Sequence, residues 1–470
     1  MDETILALFS ERDLCVAMGA RLVHPQNRTF LAICTDSRKV SADDLFIALV
    51  GERFDAHDFV PDVIAKGCRG ILVSRELEVP DNVAMFVVDD VLKAFGKLAQ
   101  SILEKRRQLG SFTTYAITGS NGKTTTKELL SLLLEAQGHR VLKTEGNFNN
   151  FVGLPMTVLG LRKSHDVAVL EMGANAPGEI AYLSGLGKPD IAIITCVGSA
   201  HLLGFGSIEG VAKAKGEMIH APNLKAIVLP EETKRFYENE IPAGVTPIWV
   251  GGENSSTKIH LENIASCLDG IRFELRDGEG VYHVELPLLG RHNAGNLARA
   301  YAASTVNGTL DESAINRAVA RVHLPSGRLE RWTANGEISF LHDAYNANPS
   351  SMSEAIHLMA QLDVPRALFL GDMRELGEKS DELHREIGRK AAGIDPILLL
   401  CVGDSASQLC QGAIEAGMDR DRIHCVSQDQ LEMGLNWAKS RLTTHCVCLI
   451  KGSRGVKLER VLDYFKAERQ

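Results

Sequence analysis

The segment TYAITGSNGKTTTKELLSLLLEAQG (114–138) decides the fold. Its start, TYAIT (114–118), is a short apolar run of the kind that forms a buried strand. A glycine loop follows, and then a leucine-rich stretch with helical spacing. Strand, glycine loop and helix in that order make a phosphate-binding loop. The loop is Gly119-Ser120-Asn121-Gly122-Lys123-Thr124-Thr125. It is shorter than the general pattern, whose first glycine would fall at Ile117. The working parts remain. Glycines let backbone N–H groups turn toward phosphate oxygens. The helix start offers roughly half a positive charge to an anion. Lys123 can reach terminal phosphates, and the Thr124 hydroxyl suits Mg²⁺.

Outward from this segment, apolar runs alternate with helix-like stretches. Strand candidates before it are LFIAL (45–49), GILV (70–73) and AMFVV (84–88). After it come DVAVLE (166–171), DIAIIT (190–195), KAIVL (225–229), ISFLHD (338–343), RALFLGD (366–372), PILLLCVG (396–403) and CVCLIKG (446–452). Continuous runs, not strict alternation, predict parallel strands covered by helices on both faces. The fold class is α/β. Residues 231–290 lose this rhythm, and ENSSTK and LRDGEG predict turns of an antiparallel insertion. An amphipathic stretch, KLAQSILEKRRQLGS (97–111), ends in a polar break, and VHLPSGRLERW (322–332) carries Pro325 and Gly327. These place three domains at 1–108, 109–320 and 321–470, about the number that 470 residues predict.

Composition narrows the function classes. Apolar residues make up 45% and charged residues 24%, which excludes a largely disordered chain. A formal net charge of −9 argues against a nucleic-acid coat or a polybasic membrane binder. No apolar run approaches the ~18 residues of a membrane span. The start, MDETILALFSERDL, lacks the basic n-region of a signal peptide. Ten scattered cysteines form no Cys-x-x-Cys pair, and Cys446 and Cys448 alternate inside an apolar run. Buried thiols in a reducing cytoplasm are expected.

Candidate chemistry flanks the loop. Glu171 ends the strand DVAVLE, and carboxylates at strand C-termini face the crevice where α/β sheets bind ligands. His201 follows the next strand, in CVGSAHLLGFGS. Either alone reads as a surface charge or a structural histidine. Together, beside a phosphate loop, they read as metal ligands. GVAKAKGEM then places lysines nearby. A lysine beside Mg²⁺ must contact phosphate or lose its charge, and burial lowers its pKa. A neutral amine can add CO₂ to become an anionic carbamate, whereas residue chemistry alone favours a solvated helix lysine.

In sequence order, TGSNGKTT (118–125), EMG (171–173), AHL (200–202), AKGEM (214–218), GRHNAGNLARAYA (290–302), SGRLE (326–330), DAYNANPSSM (343–352), LGDMRELG (370–377) and KGSRG (451–455) resemble the Mur ligases. These are ATP-dependent amide-forming enzymes of peptidoglycan precursor synthesis. TEGNFNNFVGLPMTVL (144–159) and DAYNANPSSM are similar to the branch that joins D-alanyl-D-alanine to UDP-N-acetylmuramoyl-tripeptide. TDSRKV (35–40) and LFIALVGERFDAHDFV (45–60) resemble an N-terminal uridine-nucleotide domain. Ala56 departs from an expected glycine, and Leu203 from an expected acidic residue.

The resemblance implies a central P-loop ATPase domain and a C-terminal Rossmann-like domain. It implies ATP and two Mg²⁺ ions, small-molecule substrates, no nucleic acid or membrane partner, and a monomer. Lys215 resembles the carbamylated lysine, with Lys213 as the alternative register. Thr124, Glu171, His201 and the Lys215 carbamate are the implied metal ligands. Asn293 and Asn296, three apart on one helix face, resemble an adenine-contacting pair. Arg328 and Asp343 resemble contacts to phosphate and ribose, with Tyr345 and Asn346 in the same cluster. Ser37, Arg38 and His57 are implied for the uridine nucleotide, and Asn147, Asn149 and Asn150 for the peptidyl part. The nearest rivals are a sibling ligase adding a diamino acid, a folylpolyglutamate synthase, and a P-loop binding module without ligase chemistry.

Overall fold

The computed structural model describes residues 3–51, 54–199, 201–267, 269–334 and 338–467. Ala200 of the AHL segment and the Cys267 side chain lie outside the described set. Three sheets follow one another along the chain, of five, nine and six strands. The first runs, in spatial order, Arg21–Val23, Ala84–Val87, Gly70–Val73, Asp44–Ile47 and Ala32–Cys34; only the first of these is antiparallel to its neighbour.

The central sheet begins with an antiparallel edge, Gly280–Leu286, Gly270–Asp277 and Ile259–Cys267. It continues in parallel through Thr246–Val250, Ala226–Pro230, Ile191–Ile194, Thr113–Thr118, Val167–Glu171 and Val141–Lys143. The antiparallel insertion expected within 231–290 is these three hairpin strands. Thr113–Thr118 lies between Val167–Glu171 and Ile191–Ile194, with chain connections leaving to both sides. This is the switch point at which open parallel sheets bind ligands. The Gly119 loop, Glu171 and the segment after Ile194 all emerge there.

Burial explains the strand pattern. Ile191–Ile194, Val167–Glu171 and Leu398–Val402 are buried at every residue, as strands covered on two faces must be. Helix Lys123–Ala136 buries Leu129, Leu130, Leu133 and Leu134 completely. Each such side chain contributes about 1.5–3 kcal/mol over its exposed state. Helix His292–Ser304 packs against it.

Helix Val91–Gln108 starts earlier than the amphipathic stretch predicted, because Asp90 caps it through the Lys93 amide. Its apolar face packs on helices Gly153–Leu159 and Glu179–Gly187 of the central unit. One hydrophobic core therefore runs from the first sheet into the second.

The third sheet runs Glu330–Ala334, Ile338–His342, Val447–Lys451, Arg366–Gly371, Leu398–Val402 and Ile423–Val426, parallel except at the first strand. The first strand falls in the stretch whose sequence suggested only a linker. Cys446 and Cys448 lie fully buried on Val447–Lys451 and its approach, as their alternation suggested. No helix among the described residues is long and apolar enough to cross a membrane.

Candidate active site

The phosphate loop owes its shape to two crowded glycines. Gly119 has φ +138°, and a Cβ there would lie 2.0 Å from Thr195 Oγ1. Gly122 has φ +78°, and a Cβ would lie 2.5 Å from Asn296 Oδ1. Any larger residue would push the loop off its supports. Ser120 N donates to the Cys196 carbonyl at 3.0 Å, and Gly198 N to Ser120 Oγ at 3.0 Å. Lys123 Nζ donates across the loop to the Gly119 carbonyl at 2.7 Å. Burial draws the Lys123 ammonium below its ordinary pKa, while Glu171 opposes that shift.

Glu171 is 2% exposed at the end of its strand. Its carboxylate accepts from Thr124 Oγ1 at 2.9 Å and from Asn149 Nδ2 at 2.8 Å. Its own amide donates to Thr144 Oγ1 at 3.0 Å. These hydrogen-bond partners are neutral, the Lys123 charge lies close enough to act on it, and an ionised carboxylate keeps further acceptor sites for another cation. Among the described residues, no three His, Cys, Asp or Glu side chains converge to hold a metal alone. A carboxylate beside a hydroxyl instead fits Mg²⁺, which keeps waters and completes its shell with substrate phosphate.

Lys215 lies on helix Ile208–Gly216 and is 1% exposed, whereas Lys213 on the same helix is exposed. The Lys215 Nζ donates to the Ala174 carbonyl at 3.2 Å and sits 5.2 Å over the Phe205 ring. Burial first, and then the Lys123 charge, lowers its pKa to about 7. It stands behind Ala174, which lines the cleft. His201 has φ 53° and pairs through Nδ1 with the Glu375 carboxylate of the third unit. Burial lowers the His201 pKa, and Glu375 opposes the change.

The opposite wall comes from the third sheet. Arg328 Nη2 donates to Thr124 Oγ1 at 2.9 Å, and its guanidinium lies 4.3 Å over the Tyr345 ring. It is turned away from Glu330, which accepts from Ser326 Oγ at 2.5 Å. Asp343 pairs with the buried Lys451 at 2.5 Å. Asn348, the cap of helix Pro349–Ala360, donates to Asn121 Oδ1 at 2.8 Å. Between these walls lies a cleft of about 490 Å³.

The cleft gathers most of the predicted residues. Ser120 to Thr125, Asn147, Asn149, Asn150, Glu171, His201, Asn293, Asn296, Arg328, Asp343, Tyr345 and Asn346 all line it. Asn293 and Asn296 are buried and bonded to each other at 2.9 Å. Asn150 Oδ1 accepts from Gly153 N at 2.9 Å, just ahead of the next helix. Gly119 stays beneath the loop, and Ser37, Arg38 and His57 lie away from the cleft.

Arg38 is exposed and grips Asp36 with two bonds of 2.8 Å. The His57 ring is buried, with Asp55 at 2.5 Å on Nδ1 and Ser74 N at 2.8 Å on Nε2. It therefore braces its loop with both nitrogens. Sequence reasoning missed Asn348, Lys451 and Glu375. The motifs DAYNANPSSM, LGDMRELG and KGSRG contained all three, but nothing local told which side chain turned inward.

A parallel-sheet phosphate loop, a strand-end carboxylate and a second domain's arginine over both define a nucleotide-binding protein whose site two domains share. The chain belongs to the Mur ligase family. The Mur ligase catalytic domain matches residues 29–102, the Mur ligase middle domain 117–304, and the Mur ligase glutamate ligase domain 327–454. The UDP-N-acetylmuramoyl-tripeptide--D-alanyl-D-alanine ligase of Bacillus subtilis is 35% identical over 457 residues, covering 96% of this chain and 97% of its own. Among solved structures, MurF from Acinetobacter baumannii superposes with TM-score 0.87 at 31% identity, covering 97% and 98% of the two chains. MurF ligase from Thermotoga maritima in complex with ADP gives TM-score 0.80 at 28% identity, covering 93% and 97%.

Proposed function

We propose that this chain is an ATP-dependent amide ligase that joins D-alanyl-D-alanine to UDP-N-acetylmuramoyl-tripeptide. The products are the pentapeptide precursor of peptidoglycan, ADP and phosphate. The observation that carries the reading is the shared cleft, where Arg328 of one unit meets Thr124 of the other at 2.9 Å. The full-length likeness to ligases of this name supports it.

In the proposed reaction, the tripeptide carboxylate attacks the γ-phosphorus of ATP, and ADP leaves. The amine of the dipeptide then attacks the acyl phosphate, and phosphate leaves as the amide forms. Backbone N–H groups of residues 119–125, with Lys123 and Arg328, hold the phosphates and offset charge on the transferring group. Asn293 and Asn296 hold the adenine, and Asp343 the ribose, with Tyr345 and Asn346 beside it. Thr124, Glu171, His201 and the carbamate of Lys215 would hold Mg²⁺, two ions in all. When bound, Mg²⁺ supplies charge neutralisation between two anionic reactants.

Lys215 suits carbamylation because its amine is half neutral near pH 7 and shielded from bulk water. The step adds CO₂ to the neutral amine and releases one proton. Asn147, Asn149 and Asn150 face the peptidyl part. Ser37 and Arg38 bind the uridine nucleotide, with His57 shaping the neighbouring loop.

The units 1–108, 109–320 and 321–470 divide the work, and the third closes on the second about a hinge near 320. The protein acts as a cytoplasmic monomer. The direct test is phosphate release from ATP and Mg²⁺ with UDP-N-acetylmuramoyl-tripeptide, with and without D-alanyl-D-alanine. Release dependent on both, with a product heavier by the dipeptide minus water, is expected. Release only with folate and glutamate, or only with a diamino acid acceptor, would move the assignment to a sibling.

A further inference from the structure

Helix His292–Ser304 carries a line of hydrogen bonds that begins on a carbonyl and ends on a cation. Asn293 Nδ2 donates to the Leu289 carbonyl at 2.7 Å. Asn296 Nδ2 donates to Asn293 Oδ1 at 2.9 Å. Arg299 Nη2 donates to Asn296 Oδ1 at 3.1 Å. Asn293, Asn296 and Arg299 are spaced by three, so each side chain neighbours the next along the helix.

The two ends fix the direction of this line. A carbonyl oxygen only accepts, and a guanidinium only donates. Turning the Asn296 amide over would set its NH₂ against the Arg299 N–H groups and its oxygen against Asn293 Oδ1. Turning both amides would set the Asn293 oxygen against the Leu289 oxygen. Either reversal leaves like groups facing each other in a buried place, because Asn293 and Asn296 are 4% and 3% exposed.

The surroundings keep the guanidinium at its post. Gly295 lies beneath it, and a Cβ there would be 3.1 Å from Nη2 and 3.2 Å from Nη1. Arg299 lines a cavity of about 330 Å³ that meets the nucleotide cleft at Asn121, Gly122 and Asn296. Glu232 and Glu354 line the same cavity, but they act on Arg299 by charge alone, without a hydrogen bond. The Arg299 Nε is buried and has no partner among the described residues. A cation so placed is costly to bury. Ion pairing does not account for its position, whereas the bond to Asn296 does.

We infer that Arg299 is a positioning residue that sets the base selectivity of the nucleotide site by fixing the amide direction of Asn296, and through it that of Asn293. The inference rests on the reading above, in which these asparagines hold the adenine, and adds what makes them choose it over another purine. Each amide keeps one N–H and one oxygen lone pair unused by the line. Adenine sets a donor, its N6 amino group, beside an acceptor ring nitrogen, and an asparagine amide of fixed direction matches that pair. A 6-oxopurine carries an acceptor where adenine donates. Against an amide that cannot turn, it meets like with like. Against an amide free to turn, it is accommodated.

The test compares ATP with inosine triphosphate in the full chain, read as phosphate release with both other substrates present. The wild type is expected to prefer ATP in kcat/KM by about tenfold or more, the scale of one amide pair set on the wrong base. Arg299→Met fills the space without donating and is expected to bring that preference within about threefold, as the Asn296 amide becomes free to turn. Arg299→Gln can accept as well as donate and should lose the preference in the same way. Arg299→Lys, a donor only, should keep most of it. An unchanged preference in the Met and Gln variants, an equal loss of preference in the Lys variant, or a wild type that uses both nucleotides alike would each overturn the inference. Full preference for ATP in Asn296→Ala would overturn it too, by removing the adenine contact beneath it. A wild-type chain that forms no product with ATP would instead overturn the ligase reading itself.

Discussion

The central wall of the cleft is built around buried side chains bonded to one another, whereas the wall facing it sets half-exposed groups on two buried anchors, Asn348 and Lys451. On the central side, Glu171, Thr124, Thr144, Asn293 and Asn296 are all buried, and each is hydrogen-bonded within that unit. On the other side, Asn346, Glu375 and Arg454 are exposed, and Arg328 and Tyr345 half-buried. The first arrangement is set before any ligand arrives. The second depends on contacts that join the third unit to the second, such as Arg328 to Thr124 and Asn348 to Asn121. On the ligase reading proposed above, the first wall is the one suited to the reacting phosphates, since fixed dipoles stabilise charge only where they need not reorganise.

Two buried lysines sharpen the contrast within the central wall. Lys127 is fully buried yet paired with Glu128 at 2.8 Å and the Thr144 carbonyl at 2.6 Å. Lys215 is equally buried but has only a carbonyl and a ring. The first is a structural cation. The second has no ion pair among the described residues, and burial lowers its pKa to about 7.

Substitutions in the central wall should have the largest effect. Lys123→Ala removes charge stabilisation from the transferring group and is expected to cut kcat by about 10²–10³ or more. Lys215→Ala is expected to abolish turnover, with added formate restoring part of it. Steady-state phosphate release reads both. Full activity in Lys215→Ala would reduce it to a second structural lysine.

Arg328→Ala tests the opposite wall and is expected to cost about 10–100-fold in kcat/KM, as loss of one charged hydrogen bond of about 1.5–3 kcal/mol does. Solution scattering should separate its causes. The wild type should contract when all ligands bind, and the variant should contract less. Identical wild-type profiles with and without ligands would mean that the walls do not move, and the comparison would fail.

A smaller effect comes from pH. With a pKa of about 7 in the fold, neutral Lys215 falls from about nine-tenths at pH 8 to about one-tenth at pH 6. The carbamate signal in ¹³C NMR with labelled bicarbonate should fall in that window. Stability moves the same way. An unfolded lysine keeps its proton up to about 10.5, so between about 7 and 10.5 the unfolded chain binds more protons, and stability rises with pH there. A carbamate signal flat from pH 8 to pH 6 would exclude the depressed lysine as its source.

The walls also differ in how far the sequence disclosed them. The central wall was legible because its signals are local. A glycine loop between an apolar run and a leucine-rich helix admits few folds, and Glu171 closes a strand whose residues are all apolar before it. The opposite wall was not, because its contacts join residues far apart. Asn121 and Asn348 are 227 positions apart, and His201 and Glu375 are 174. Short edge strands escaped for another reason. Arg21–Val23 and Ile423–Val426 are only partly buried and carry no apolar run. Lys213 and Lys215 could not be told apart by spacing, since only packing leaves the first in water.

The finest test of the comparison is Asn348, because it serves both a helix and the far wall. Its Oδ1 accepts from Ser351 N at 2.9 Å as the cap of helix Pro349–Ala360. Its Nδ2 donates to the phosphate-loop Asn121 at 2.8 Å. Serine caps a helix about as well as asparagine, but it is too short to reach the loop. Asn348→Ser therefore keeps the helix start and removes the bridge. One neutral hydrogen bond contributes about 1 kcal/mol, so KM for ATP is expected to rise about fivefold, with unfolding free energy changed by less than about 0.5 kcal/mol. Asn348→Ala should add a stability loss of about 1 kcal/mol by removing the cap. If Ser and Ala variants lose stability equally and KM for ATP stays fixed, the bridge is incidental and stacking alone closes the second wall. If KM rises in both while only Ala lowers stability, the phosphate loop itself senses whether the third unit is in place.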